Sequence, residues 1–345
     1  MEENIVKLET VMEWLVKFAL LVILVEKNPL KPKKLNMKIL GIGNAIVDVI
    51  CKVNDDFISK NNLTKGTMKL VFDSTEFTNL LSSLKIEKTI SGGSVANSIV
   101  GLSQLGNNVG FIGKISDDDL GQKYEEGLKK ENVDYFYSKK KEELQTGTCL
   151  ILVTPDSERT MCTFLGIAGR INENDININL VKKSEIIFLE GYLWDEGEPK
   201  KAFDKAIING NKIAMSLSDQ FCVDRHKAHF LDLVKNKLDI IFANESEIMA
   251  LINAKNFNDV ISFGKEIKKN LIITRGEKGA ISIENKKIVE VESRKNLKIL
   301  DLTGACDLFA SGYLHWYINN FSQEDCLNNG TEMSSKIIQQ IGARL

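Results

Sequence analysis

The sequence predicts an α/β protein with a mostly parallel central sheet flanked by helices and a small antiparallel sheet beside it. Three observations carry this. From Met37 onward, short apolar runs alternate with stretches of helical periodicity, the signature of βαβ units. The runs Glu185–Leu189, Lys212–Ser216, Leu238–Phe242 and Leu271–Thr274 are nearly continuously apolar, as parallel strands buried on both faces require. Polar residues then recur where these strands should end: Ser218-Asp219, Asn244-Glu245-Ser246-Glu247 and Thr274-Arg275-Gly276. Open α/β sheets bind ligands at the carboxyl ends of their strands, so a site is expected along one edge of the sheet.

Taken in order, Lys38–Gly43 is the first strand and runs into a glycine turn. Val47–Val53 and Lys69–Phe72 read as strands with no helix between them. Val95, Ile99, Leu102 and Leu105 fall at helical spacing, and Gly106 ends that helix. Val109–Ile112 is the next strand. Thr148–Val153 and Arg159–Phe164 flank Thr154-Pro155-Asp156-Ser157-Glu158, a turn-rich link that predicts a hairpin. Residues 47–73 and 146–165 would together make the small antiparallel sheet. Leu308–Leu314 is an apolar helix that follows a small-residue turn.

The 345 residues suffice for a sizeable core. With a formal net charge of -2, no global basic field argues for nucleic acid, and Lys139-Lys140-Lys141 is followed at once by Glu142-Glu143. The six cysteines are scattered without a C-x-x-C pair, so neither a zinc site nor a disulfide framework is expected and a reducing cytoplasm fits. His226 and His229 are three apart but lack a surrounding ligand set. Residues 1–36 read as an N-terminal extension foreign to the rest. Trp14–Val25, 12 residues interrupted by Lys17, is too short to span a bilayer comfortably. The acidic Met1-Glu2-Glu3 start does not suit a signal peptide. Three readings stay open: a start codon assigned upstream of a natural Met37, a membrane-associating helix, or an appended helix. No membrane partner is expected for residues 37–345.

The segment Asp301-Leu302-Thr303-Gly304-Ala305-Cys306-Asp307 carries the most chemistry. Small residues let other atoms approach the backbone. The first amides of a helix have no intrahelical partner, so Gly304, Ala305 and Cys306 would form an anion site. Asp307 repels what those amides attract. The conflict makes sense if its carboxylate takes a proton from a hydroxyl attacking a phosphate. Ser91-Gly92-Gly93-Ser94-Val95-Ala96-Asn97 is a second glycine turn at a helix start. Either Gly92 and Gly93 admit a polar ligand with Asn97 pointing into the site, or the segment is a plain turn with a cap. Asp48, an acid between apolar residues, would suit sugar hydroxyls or else lie on an exposed edge strand. Gly41-Ile42-Gly43-Asn44-Ala45-Ile46 approximates a dinucleotide fingerprint, but Ile46 stands where the third glycine belongs and no acid lies near Leu63. A dehydrogenase is therefore the weakest reading. Gly276-Glu277-Lys278-Gly279 lacks the spacing of a P-loop.

From Met37 to its end the chain resembles the ribokinase-like (PfkB) family of sugar and nucleoside kinases. Gly92-Gly93-Ser94-x-x-Asn97 resembles the family's first signature, and Asp301–Gly312 its second, usually D-T-T-G-A-G-D followed by F-x-x-G. Asn244-x-x-Glu247 matches the family's N-x-x-E. The Gly41–Asp48 opening, Arg159-Thr160-Met161 and Ser218-Asp219-Gln220-Phe221 look most like bacterial members labelled adenosine kinases.

The resemblance implies a three-layer domain over residues 37–345 with a β lid. It implies phosphoryl transfer from ATP to a primary hydroxyl of a nucleoside, adenosine first, with Asp307 as general base. By the same resemblance Asp48, Gly92, Gly93 and Asn97 would bind the acceptor, and Thr274, Gly276 and Gly279 would border the nucleotide. Asn244 and Glu247 would organise Mg²⁺, through water. A ribose- or fructose-type sugar kinase and a non-catalytic nucleoside-binding protein are the alternatives, as monomer or homodimer. Two departures stand out. Leu302 replaces a threonine and Cys306 a glycine. A cysteine there is strained if the position needs a positive φ and tolerable if it does not. Its thiol would be either activated by the helix N-terminus or kept inert by the neighbouring acid.

Overall fold

The computed structural model describes residues 37–156, 158–195 and 199–345, and the expectations for residues 1–36 lie outside them. The strands are β1 (Ile39–Ile42), β2 (Ile46–Lys52), β3 (Met68–Leu70), β4 (Ile86–Ser91), β5 (Val109–Ile112), β6 (Asp134–Tyr135), β7 (Gly147–Val153), β8 (Arg159–Phe164), β9 (Ile186–Glu190), β10 (Ile213–Ser216), β11 (Ile240–Asn244), β12 (Asn270–Thr274), β13 (Ala280–Glu284) and β14 (Lys287–Val291). The helices are α1 (Asp55–Lys60), α2 (Ser74–Ser82), α3 (Ser94–Gln104), α4 (Asp119–Lys130), α5 (Ile178–Lys183), α6 (Pro199–Asn209), α7 (Gln220–Asp232), α8 (Glu245–Ile252), α9 (Phe257–Ile267), α10 (Ala305–Ile318) and α11 (Gln323–Ile337).

The central sheet runs β14-β13-β12-β11-β10-β9-β1-β5-β6, parallel from β12 to β6. The chain works outward from β1 to β5 and β6, then resumes at β9 on the other side of β1. That reversal leaves a crevice at the carboxyl ends of β1 and β9. Successive residues of each strand feed different cores. Phe188 and Phe242 pack on the face of α3 and α10, while Leu189 and Ile241 pack on the opposite face with helices such as α7 and α8. This two-sided burial explains the unbroken apolar runs. The antiparallel β13–β14 hairpin turns through Asn285 and Lys286, both at positive φ (48° and 69°), as a two-residue primed turn requires. Nothing in the sequence reading anticipated it.

The second sheet, β3-β8-β7-β2-β4, stands apart from the first. The β7–β8 hairpin forms as expected, but the sheet is mixed. β2 pairs antiparallel with β4 and parallel with β7, and β3 pairs parallel with β8. Strands brought together from distant parts of the chain need not alternate direction as a hairpin must. Two other expectations change here. A helix, α1, does lie between β2 and β3, started by Asn54, whose side chain accepts from the Phe57 amide at 2.9 Å. Six residues are too few for an apolar period to show. The strand β4 was not anticipated, because Ile86-Glu87-Lys88-Thr89 is largely exposed on an edge. Along β2, Val47, Val49 and Cys51 enter the core while Asp48 and Ile50 face the other way, the alternation every strand imposes.

Candidate active site

Three helix N-termini meet the carboxyl ends of β1, β9, β11 and β12. The first is that of α3. Gly93 precedes it at φ 96°, and a Cβ there would sit 2.1 Å from the Asn44 carbonyl oxygen. Only glycine fits. The demand thus comes from the fold itself rather than from a ligand. Gly92 is equally confined, since a Cβ would lie 2.6 Å from Asp48 Oδ2.

The second is that of α10. Gly304 caps it in the left-handed region, φ 81°, and a Cβ would meet the Ala343 Cα at 2.7 Å. Ala305 and Cys306 have helical backbone, and Cys306 is absent from the positive-φ residues. The cysteine therefore keeps the amide that a glycine would present. The expected three-amide cradle is smaller, however. Ala305 N donates to the Leu302 carbonyl at 3.2 Å. Among the described residues no hydrogen bond engages the Gly304 or Cys306 amide, and these two point to an anion site. The Cys306 side chain is exposed. Even so, the crowding cleft walls, with Glu247 and Asp307, push its thiol up rather than down, which favours the inert reading.

Asp307, in the first turn of α10, reaches back to α3. Its Oδ1 accepts from Ser94 Oγ at 2.7 Å and its Oδ2 from Asn97 Nδ2 at 3.0 Å. Burial pushes its carboxyl up to about 6, against the lowering effect of Asn97, Ser94 and Arg344. A carboxylate poised in this range can accept a proton near neutral pH.

The third N-terminus is that of α8. Here Asn244 and Glu247 form a reciprocal capping box. Asn244 Oδ1 accepts from the Glu247 amide at 2.8 Å, and Glu247 Oε2 accepts from the Asn244 amide at 2.9 Å. The motif thus has a structural use, worth roughly 1 kcal/mol. Glu247 is also 4% exposed, and burial pushes its carboxyl up to about 7. Asn244, Glu247, Thr274, Cys306 and Asp307 line one cleft. Among the described residues no group of three metal-ligating side chains forms a cage. This donor set fits a divalent cation that brings most of its own ligands as water and phosphate oxygens. Gly276 (φ 58°) and Gly279 (φ 86°) shape the loop after β12 but do not line that cleft. A Cβ on Gly279 would collide with the Val291 carbonyl at 1.9 Å.

A second pocket opens beside Asn97. Asp48, Ile50, Ile90 and Ile151 of the second sheet face Thr303 and Arg344 across it, with Arg159 at its wall. Among the described residues the Asp48 carboxylate has no hydrogen-bond partner. Burial pushes it up to about 7, with Arg344 and Arg159 opposing and Asp307 adding to the shift. An unpartnered acid in a pocket suits a ligand that brings hydroxyl donors.

Four contributors were not assigned to the site by the sequence reading. Ser94 lay inside a motif that singled out its neighbours. Glu190, 1% exposed, accepts from Asn44 Nδ2 at 2.9 Å and from the Val95 amide at 3.0 Å, which ties β1, β9 and α3 together. Arg159 Nη1 donates to Asp301 Oδ2 at 2.7 Å, and the Gly342 amide donates to the same oxygen at 2.8 Å. Arg344 Nε donates to Asn97 Oδ1 at 3.0 Å. Arg159 stood in a segment noted for its resemblance but was given no role, and for Glu190 and Arg344 no local pattern gave a signal. His229, by contrast, accepts from Trp194 Nε1 at 3.1 Å in a packing role.

Among solved structures, a probable sugar kinase from Rhizobium etli is 34% identical with a TM-score of 0.80, covering 90% of this chain and 95% of that one. Adenosine kinase from Sinorhizobium meliloti is 33% identical with a TM-score of 0.80, covering 90% and 96%. Adenosine kinase 2 of Arabidopsis thaliana is 25% identical over 339 residues, 88% of this chain and 94% of that one. The profile of the pfkB family carbohydrate kinases matches residues 66–345. With the fold, the cleft and most of the chain in agreement, this phosphotransferase belongs to the pfkB family of carbohydrate kinases.

Proposed function

We propose that the protein phosphorylates the primary hydroxyl of a nucleoside, adenosine first, with ATP as donor. The observation that carries this reading is the placement of Asp307 between the Ser94–Asn97 donors and the free amides at the start of α10. Asp307 accepts the hydroxyl proton as the oxygen attacks in line, a role typically worth about 10²- to 10⁴-fold. The Gly304 and Cys306 amides stabilise charge gathering on the transferring phosphoryl, and one such donor is worth on the order of 10²- to 10³-fold. Glu247 and Asn244 would hold Mg²⁺ through water, and the cation, when bound, would supply positive charge against the phosphate oxygens. Thr274 and the Gly276–Gly279 loop border the nucleotide.

The acceptor pocket supports a nucleoside over a bare sugar. Asp48 and Asn97 suit ribose hydroxyls, whereas Ile50, Ile90 and Ile151 offer an apolar wall suited to a flat base. The second sheet then acts as a lid that keeps water from competing as acceptor. A sugar kinase is the second reading, favoured by the 34% identity to a probable sugar kinase. The scattered cysteines, none of them in a C-x-x-C pair, suit work in a reducing cytoplasm.

The test is ADP release with ATP and Mg²⁺ across adenosine, inosine, guanosine, ribose and fructose, beside an Asp307→Asn control. Adenosine-dependent release above the control is expected. Turnover on free sugars alone would replace the nucleoside reading, and no turnover above the control on any acceptor would overturn the base assignment.

A further inference from the structure

Asp307 is not held by Ser94 and Asn97 alone. Asn97 has a donor end and an acceptor end. Its Nδ2 donates to Asp307 Oδ2 at 3.0 Å, so its Oδ1 must find a donor elsewhere, and Arg344 Nε supplies one at 3.0 Å. With the amide turned over, an oxygen would face the carboxylate and the stabilising donor would be lost. A guanidinium has donors only and keeps its charge at any working pH. It therefore admits one orientation of Asn97. The chain of contacts runs from the C-terminal segment through α3 to the first turn of α10, across separations of 247 and 210 residues.

The charge of Arg344 is also uncommitted. Among the described residues it forms no salt bridge, and its Nη2 is buried without a hydrogen-bond partner. The other titratable groups that Asp307 influences are acidic or neutral: Asp48 from β2, Glu190 from β9, Tyr192 just after β9, and Cys306 on its own helix. Against these, Arg344 is the cation that bears on both Asp307 and Asp48. Arg159, the other guanidinium of the pocket, is paired with Asp301 at 2.7 Å.

We propose that Arg344 is a positioning residue for phosphoryl transfer: its Nε locks the Asn97 amide so that Asn97 donates to the base, and its charge keeps Asp307 ionised. The inference rests on the assignment of Asp307 as the base. It extends that assignment to a side chain that neither signature motif contains.

Two readouts separate the proposal from the base assignment. The first is the titration of the Asp307 carboxyl by ¹³C NMR in full-length protein labelled at aspartate Cγ, with the resonance assigned by Asp307→Asn. The second is kcat against pH. Arg344→Gln is expected to raise the Asp307 midpoint by roughly one unit, the lower end of what a neighbouring charge does. Well below that midpoint kcat then falls about tenfold, because the ionised fraction drops tenfold per unit. Arg344→Lys keeps the charge and loses the Nε donor. Its midpoint should stay near wild type, while kcat at about pH 8, where Asp307 is ionised regardless, should remain depressed. A purely structural role would lower the unfolding temperature and kcat without moving the midpoint. A wild-type midpoint in folded Arg344→Gln overturns the proposal. If that variant does not fold, a wild-type kcat in Arg344→Lys overturns it. If the wild-type chain phosphorylates no acceptor, the base assignment fails by itself, and the carboxyl titration still decides whether Arg344 governs Asp307.

Discussion

Replacing Asp307 by asparagine should remove the pH dependence of turnover together with most of the rate. The substitution keeps the shape of the side chain and one hydrogen-bonding end for Ser94 or Asn97, so the fold should survive. Burial raises the Asp307 carboxyl to about 6, above the ordinary carboxylate range. The base works in its unprotonated form, so activity is present above that value and is lost as pH falls through it. At about pH 8 nearly every molecule is ionised, and at about pH 5 roughly one in ten is, which predicts a tenfold fall in kcat between them. Burial also pushes the Asp48 carboxyl up to about 7, and in the proposed reaction Asp48 would meet the acceptor alone. Its midpoint should therefore appear in kcat/KM and not in kcat. The assay is ADP release at saturating ATP and Mg²⁺ from about pH 5 to about pH 8.5, with kcat and KM fitted separately. Asp307→Asn should lower kcat by about 10²- to 10⁴-fold and flatten the acid limb. Turnover in Asp307→Asn within about tenfold of wild type, with the acid limb intact, would refute the argument, because the proton would then be going elsewhere.

Other outcomes follow from the same geometry. Gly304→Ala forces a Cβ into left-handed backbone (φ 81°) and to 2.7 Å from the Ala343 Cα. The backbone strain alone is about 1–2 kcal/mol, and a lower unfolding temperature should accompany a kcat loss on the order of 10²-fold as the free amides shift. Cys306→Gly keeps the amide, so kcat should change by far less than the 10²- to 10³-fold cost of a lost donor; a loss of that size would show that the thiol itself takes part. Glu247→Gln retains hydrogen-bonding capacity for the α8 cap but removes the charge. It should raise the Mg²⁺ concentration for half-maximal activity by about tenfold with little change in thermal unfolding. Asp48→Asn should raise the unfolding temperature at about pH 8 but not at about pH 4. A buried acid whose folded pKa is raised costs stability progressively as pH rises from the unfolded pKa to the folded one, and that cost vanishes below the unfolded pKa. An equal change at both pH values would show that packing, not charge, is responsible.

Residues 301–307 were legible because their chemistry is local. A glycine at positive φ, two free amides and an acid in the first helical turn are consequences of seven consecutive residues and of helix geometry. The Asn244–Glu247 pair was legible for the same reason, although what it visibly does is cap a helix. The parallel strands could be read because two-sided burial leaves nearly unbroken apolar runs. The short α1 and the exposed β4 could not, since six residues on a surface carry too little pattern.

Tertiary structure decided what those local pieces mean together. Ser94 and Asn97 reach Asp307 across 213 and 210 residues, and Arg344 reaches Asn97 across 247. No periodicity or spacing encodes contacts of that range. The carboxyls of Asp48, Glu190, Glu247 and Asp307 are raised chiefly because the fold withdraws them from water. The sequence by itself thus determined which residues could hold a phosphoryl group and take a proton. Burial and long-range packing, which arise only when β1, β9, α3 and α10 converge, determined which acid is withdrawn from water beside the free amides and which side chains hold it.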